Sequence, residues 1–325
     1  MAGEGLPEMT KDEKAAEAAL AELSRRFPTL RWDFRPDPVG GRTELISQWL
    51  GDPEEEVMLC AFTGDHIDER FHRQDFFFIN FAYHGTYDAL SERYSNRVTL
   101  EEGDCYIGQP YSGYAMKKSG PDPVSIVGIL IQKEAFLREY LAPISEDPVL
   151  LRFFLEPMKN RDADEFIKLS LPRCSPIWNL LRIMMTEYVG GNLCSQKILK
   201  SLTLTILLYI IRSYHEEQEK AVKPTLTESL LQYVALHSDS LTLQSMADHF
   251  GYHPVYLSRL LVKLTEKTFS ELLLDSRMRK AKLFLENTPL SNEKIAELLG
   301  YKNASNFYRA YKSYYGTTPR VTKAA

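Results

Sequence analysis

Cysteine is scarce in this chain. Four occur in 325 residues, Cys60, Cys105, Cys174 and Cys194, widely separated and with no Cys-x-x-Cys pair. That excludes a zinc-ribbon or disulfide framework and reads as free thiols in a reducing cytosol. Long apolar runs are lacking as well: the most apolar stretch, 198–211, is too short to span a bilayer and contains Lys200. No signal peptide is visible, because the N-terminus is acidic and its first periodic segment is charged. The expectation is a soluble, cytoplasmic protein. Excess positive charge is also missing, since the formal net charge is -5, which taken alone argues against a nucleic-acid binder. The charge is unevenly spread, however. From residue 224 onward 13 Lys and Arg face 9 Asp and Glu, a surplus of four, which leaves a deficit of nine before it. A basic module joined to an acidic one suits a regulator with a separate sensing or pairing domain.

What the chain does contain is one helical pattern written twice in its last hundred residues. Leu257, Leu260, Leu261 and Leu264 follow i, i+3, i+4, i+7, and fifty residues later Phe307, Ala310, Tyr311 and Tyr314 repeat that stripe. Ahead of each lies a shorter helical stretch ending in an apolar residue, glycine and tyrosine: Phe250-Gly251-Tyr252 and Leu299-Gly300-Tyr301. Here the offset is forty-nine, so the second turn is one residue longer. Small Ala247 and Ala296 let the paired helices approach, and Gly251 and Gly300 suit the positive φ of a sharp turn. This is the helix-turn-helix arrangement.

Turning the stripes inward exposes Val255, Ser258, Arg259 and Lys263 on the first long helix, and Ala304, Ser305, Arg309 and Lys312 on the second. Small residues near the helix start and an arginine one turn later fit a major groove and offer a fork to guanine. An ordinary solvated face is the alternative for one copy; two matched copies favour DNA.

The segment 224–319 resembles the AraC/XylS family DNA-binding domain. Its connecting helix carries Phe269, Leu272, Leu273, Arg277, Ala281, Phe284 and Leu285 at the family's positions, and the chain closes with Gly316-Thr317-Thr318-Pro319. The resemblance implies base contacts at Val255 and Arg259, then Ala304, Ser305 and Arg309; the exposed faces add Ser258 as a candidate base contact and Lys263, Lys312 and Asn303 as candidate phosphate contacts. Two positions depart from the pattern. His253 replaces the usual serine cap, partly offset by Pro254 at the first helical position. Thr322 replaces an aromatic residue, which predicts a less firmly docked C-terminus.

In the N-terminal half, residues 11–27 read as a helix with Ala16, Leu20, Leu23 and Phe27 near one face. Arg35-Pro36-Asp37-Pro38 and Gly40-Gly41 mark a loop, and Gly51-Asp52-Pro53 another break. From 57 to 131 short strands alternate with turns: 76–83 is a continuous apolar run, 98–100 and 105–107 flank a tight turn, and 126–131 is a further strand. Such spacing predicts a sandwich or barrel. The stretch resembles the cupin-like sensor domain through residues 71–77, Leu100, Glu102-Gly103-Asp104 and Pro110. Where that family's enzymes place metal-binding histidines, this chain keeps only His72, with Gln74 and Tyr114 at the other positions. A metal-dependent enzyme is therefore rejected, and neither metal, cofactor nor catalytic residue is expected. His72, Asp75 and Tyr114 are the candidate ligand-binding side chains, the alternative being that His72 pairs with Asp75 structurally.

From 148 to 214 the pattern returns to helix, broken at Pro172, Pro176 and Gly190-Gly191, and 198–214 is apolar around much of its circumference. It either pairs two subunits, as the resemblance implies, or fills a domain core. Residues 216–224 read as a polar linker. The expected fold is α+β: a helical arm (1–50), a cupin-like β-barrel (51–145), a helical dimerisation region (146–220) and an all-α domain with two helix-turn-helix motifs (221–325). The expected function is sequence-specific transcriptional regulation. Its partners would be double-stranded DNA, a small-molecule effector, a second copy of the chain and RNA polymerase. The competing expectation is a cupin-like ligand-binding protein or enzyme whose C-terminal helices mediate protein interaction.

Overall fold

The sequence Thr-x-x-Glu opens three helices of this protein. At Thr10, Thr225 and Thr268 the hydroxyl accepts the N3 amide, and the N3 glutamate returns a bond to the cap amide. The computed structural model describes residues 10–324 apart from 31, 40–41, 92–95, 119–120, 146, 160–164 and 222–224. Its strands are β1 (Phe34–Val39), β2 (Arg42–Ser47), β3 (Val57–Gly64), β4 (Ile67–Asp68), β5 (Arg73–Gln74), β6 (Phe77–His84), β7 (Tyr87–Ser91), β8 (Asn96–Leu100), β9 (Asp104–Gly108), β10 (Ala115–Lys118), β11 (Val124–Ile131) and β12 (Phe166–Ser170). The helices begin with α1 (Lys11–Arg26), α2 (Lys133–Ala135), α3 (Leu141–Ile144), α4 (Pro148–Lys159), α5 (Pro176–Gly190) and α6 (Ser195–Ala221). They continue with α7 (Leu226–Leu236), α8 (Leu243–Phe250), α9 (Pro254–Thr265), α10 (Phe269–Asn287), α11 (Asn292–Leu298), α12 (Ala304–Tyr315) and α13 (Pro319–Ala324). Two compact units result, residues 1–136 with 161–214 and residues 137–160 with 215–325.

The first unit holds three sheets, in the orders β1-β2-β5, β4-β10-β7-β8 and β12-β9-β6-β11-β3. They do not close into a barrel, which corrects the sequence expectation. Strands of two residues, such as β4 and β5, carry too little ladder to seal a seam, and β8 and β9, adjacent in sequence, belong to different sheets. The apolar run in β6 lacks alternation because both faces are covered. Phe78 and Ala82 join a core with Tyr87, Tyr106, Met116 and Leu130, while Phe77 stacks on Phe136 and Phe81 meets Trp178 edge-on.

Three further readings change. Residues 34–39 and 42–47 pair as an antiparallel hairpin instead of a loop. Pro36 and Pro38 are tolerated because β1 is an edge strand, where a missing N–H costs no ladder bond. Residues 166–170 form an edge strand on β9 inside a stretch read as helical. The charged segment expected as a linker continues α6 to Ala221.

Among its described residues the second unit has helices and no strand, and they build two cores. Leu230, Val234, Met246, Leu257, Leu261 and Leu272 form one; Met278, Ala281, Phe284, Ile295, Phe307 and Tyr311 form the other. Helix α10, about 28 Å long at 1.5 Å per residue, contributes to both. Its Phe284 face is also covered from earlier in the chain: Leu137, Leu141, Leu151 and Leu155 belong to the second core. Asp147 starts α4 by accepting the amides of Val149 and Leu150 at 2.8 and 3.0 Å, and its other oxygen meets His215 Nε2 at 2.8 Å. Although burial works against it, His215 holds the Asp147 carboxyl below its ordinary range.

Candidate nucleic-acid interface

Each helix-turn-helix is closed by the same backbone device. The amide of Tyr252 donates to the carbonyl of Ala247 at 2.9 Å, and that of Tyr301 to Ala296 at 2.9 Å. Between them Gly251 and Gly300 take φ of 69° and 75°. Six-to-one bonds around a left-handed residue end α8 and α11 and redirect the chain into the longer helices. Ala247 and Ala296 are buried at the helix crossings, as their size requires.

On α9, Leu257 and Leu261 are buried, and Leu260 and Leu264 pack against the same core. Val255 is 56% exposed, Arg259 and Lys263 are exposed, and Ser258 is half-buried. On α12, Phe307 and Tyr311 are buried; Ser305, Arg309 and Lys312 are exposed, whereas Ala304 is half-buried. The far end of this second stripe differs from the sequence reading. Tyr314 is 38% exposed, and the next residue, Tyr315, packs inward with its hydroxyl donating to Met278 O at 3.2 Å.

The helix starts are built differently. Asn303 caps α12, its Oδ1 accepting the Asn306 amide at 2.9 Å, so this residue has a structural task beside any phosphate contact. His253 caps α9 through Nδ1, which accepts the Val255 amide at 3.3 Å. A ring nitrogen at that distance is a weaker acceptor than a carboxylate facing the helix dipole. His253→Asp is therefore expected to stabilise the protein by about 0.5 to 1 kcal/mol, measured by urea denaturation; a loss would show that the imidazole supports the turn in another way. The C-terminus is better held than the missing aromatic suggested, because Tyr311 Oη donates to Thr322 Oγ1 at 3.1 Å.

Two side chains escaped the sequence reading. Tyr256 is 55% exposed beside Val255 and its ring leans on Tyr252, 5.4 Å between centroids. Asn306 accepts from Arg309 Nη2 at 2.6 Å and steers that guanidinium. Period counting marks Tyr256 as next to a buried leucine and sees nothing of the second bond; only the three-residue spacing of Asn306 and Arg309 hinted at it.

In the first unit the ligand candidates do not converge on a described cavity. His72 is buried, with Nδ1 2.8 Å from the Arg70 carbonyl and Nε2 3.4 Å from Gln74 Nε2; Asp75 is not its partner among the described contacts. Tyr114 is buried in the sheet core, its hydroxyl accepting from Asn80 at 2.9 Å. Burial raises the Asp75 carboxyl, opposed by Lys133. The described residues contain no cluster of three or more side chains suited to a metal.

A separate cleft of about 340 Å³ is lined by Phe27, Trp32, Phe34, Phe62, Glu69 and Met116, among others. Burial pushes the Glu69 carboxyl up to about 7, although its Oε2 accepts the Met116 amide at 2.9 Å. An unfolded glutamate titrates near 4.5, so the stability owed to the protonated folded form is complete below that pH and is lost as pH rises through about 7. Glu69→Gln is expected to flatten the melting temperature across that window; an unchanged slope would place its cause elsewhere.

Two helix-turn-helix units, each presenting a long helix with an exposed start and an exposed arginine, define a DNA-binding module. Residues 246–325 match the family described as "Helix-turn-helix domain". The chain is 26% identical over 242 residues to the uncharacterized HTH-type transcriptional regulator YfiF of Bacillus subtilis (strain 168), covering 68% of this chain and 76% of that one. It is 40% identical over 79 residues to the regulator YtdP of the same organism, covering 24% of this chain and only 10% of that one. The C-terminal domain of AraT, a response regulator from Geobacillus stearothermophilus, is similar at 34% identity over 31% of this chain and 85% of that domain, with a TM-score of 0.30. The C-terminal region is a helix-turn-helix domain, and the protein is a DNA-binding transcriptional regulator. No helix among the described residues is long and apolar enough to cross a membrane.

Proposed function

We propose that this protein is a cytoplasmic regulator that reads two successive major grooves on one face of DNA with α9 and α12. The observation that carries this reading is the matched pair of exposed surfaces, Val255 with Arg259 and Ser305 with Arg309, each behind a left-handed glycine turn. Ser258 and Ala304, half-buried, make the edge of each reading surface. Lys263, Lys312 and Asn303 set position and salt dependence through phosphate. Residues 221–325 act as the DNA-binding domain, with 137–160 completing its core; an arm (1–50) and a cupin-like sensor drawn from the first unit precede it in the chain.

The sensor takes a small-molecule effector. The aromatic cleft at Glu69 supports that role better than His72, Asp75 or Tyr114, since its size is within the range of small-ligand sites. The chain works as a homodimer and engages RNA polymerase at its promoters. Pairing through α6 is supported by exposed Ile198 and Leu208, 40% and 47% accessible on a helix otherwise buried at Leu199, Ile206, Leu207 and Ile210. No catalytic role is proposed.

The test is selection of sites by the purified protein from a random DNA pool, followed by footprinting at moderate salt. Enriched sites with two protected major-groove segments about one helical turn apart are expected. Binding without any sequence enrichment would overturn the two-reader mechanism.

A further inference from the structure

One arginine reaches from the connecting helix to both helix-turn-helix units. Arg277, on the part of α10 between the two cores, donates from Nε to the Ser238 carbonyl at 2.6 Å and from Nη2 to the Asp239 carbonyl at 2.9 Å. Those carbonyls lie in the turn between α7 and α8 of the first unit. On the other side, the Arg277 guanidinium sits 5.3 Å from the ring centroid of Tyr301, at the turn of the second unit. Gly300 lies against the same loop: a Cβ at Gly300 would come within 1.7 Å of the Asp239 carbonyl oxygen. The loop of one reader and the turn of the other thus close on a single cation. Such bonds are charge-assisted and half-buried, and their fork geometry is one a lysine ammonium does not reproduce.

We propose that Arg277 is a positioning residue that clasps the two readers at one separation and so sets the half-site spacing the protein accepts. This rests on the two-reader reading of DNA above. A single helix joining two modules leaves bending and twisting modes; a second attachment off the helix axis removes them. With the modules locked, the cost of aligning both recognition helices is met in the fold rather than at binding. A site one base pair longer or shorter rotates the second groove away from a reader that is not free to follow.

The experiment has two readouts on the full chain. Nitroxides at exposed positions Val262→Cys and Ser313→Cys, with Cys174→Ser and Cys194→Ser, report the separation of α9 and α12 without DNA. The otherwise unsubstituted chain is expected to give one narrow distance distribution, and Arg277→Met and Arg277→Lys a broad one. Gly300→Ala, which pushes the Asp239 loop away while keeping the arginine, is expected to broaden it too. In the second readout, sites enriched by the unmodified protein are lengthened or shortened by one base pair. The protein is expected to lose about tenfold in affinity, and Arg277→Met to lose less than about threefold. Equally narrow distributions in all variants would overturn the clasp, whatever happens on DNA. Broadened distributions with an unchanged spacing penalty would overturn its role in specificity. Narrow distributions in a protein that enriches no sequence would overturn both that role and the two-reader mechanism, leaving the clasp as an element of the fold alone. Retained melting transitions in the arginine variants separate a loosened clasp from unfolding.

Discussion

Leu155→Ala is expected to destabilise the DNA-binding unit by about 2 to 5 kcal/mol, the usual cost of emptying a fully buried leucine site. Leu155 and Leu151 are both 0% exposed and lie in the core that contains Met278, Phe284 and Phe307. They come from α4, more than a hundred residues before the helices they support. The melting temperature and urea midpoint measure the loss. DNA affinity of the folded fraction should change little, because α4 contributes no residue to the exposed faces of α9 and α12. The same reasoning applies to a fragment beginning at residue 224. It lacks Leu137, Leu141, Leu151 and Leu155, so an apolar strip of α10 loses its cover. A fragment as stable as the whole chain would show that these leucines add nothing to the second core.

Arg309→Ala should cost about 1 to 3 kcal/mol at the cognate site while barely weakening non-specific binding. Arg259→Ala should do the same for the other half-site, with the loss of selectivity mapping to different base pairs. The two arginines are not equivalent, however. Arg309 is held by Asn306 at 2.6 Å, whereas Arg259 has no side-chain partner among the described residues. A guanidinium already aimed loses less rotamer entropy on binding, so the Arg309 half-site should contribute more to affinity. Asn306→Ala is expected to remove part of that advantage without altering base preference. Titrations on cognate and scrambled duplexes at several salt concentrations measure both. Equal loss on every sequence, with a shallower salt slope, would make either arginine a phosphate contact.

Much of the DNA-binding unit was legible because its information is local. A glycine in left-handed conformation, an alanine at a crossing and a leucine stripe each act within one or two helical turns, where period and residue size decide the outcome. The exposed positions of Val255, Arg259, Ser305, Arg309 and the two lysines follow from that arithmetic. At Tyr314 and Tyr315 it failed by one residue. Two adjacent tyrosines satisfy the apolar stripe about equally well, and it is Tyr315 that packs on the second core and bonds to Met278, distant in sequence.

The N-terminal half was less legible for the same physical reason. Sheet order, the openness of the sheets and the edge position that lets β1 carry two prolines all depend on pairings between distant segments. Edge strand β12 was hidden because a five-residue run of moderate apolarity has no period long enough to separate strand from helix.

By itself, the sequence determined that residues 224–319 carry two helix-turn-helix units with readable outer faces. Propensity, capping and hydrophobic period act over a few residues, and here they agree. Only the tertiary structure decided that α3 and α4 complete the DNA-binding core, and that Arg277 with Gly300 joins the loop of one reader to the turn of the other. Those outcomes depend on contacts across tens to more than a hundred residues, where sequence spacing carries no geometric information until the chain has packed.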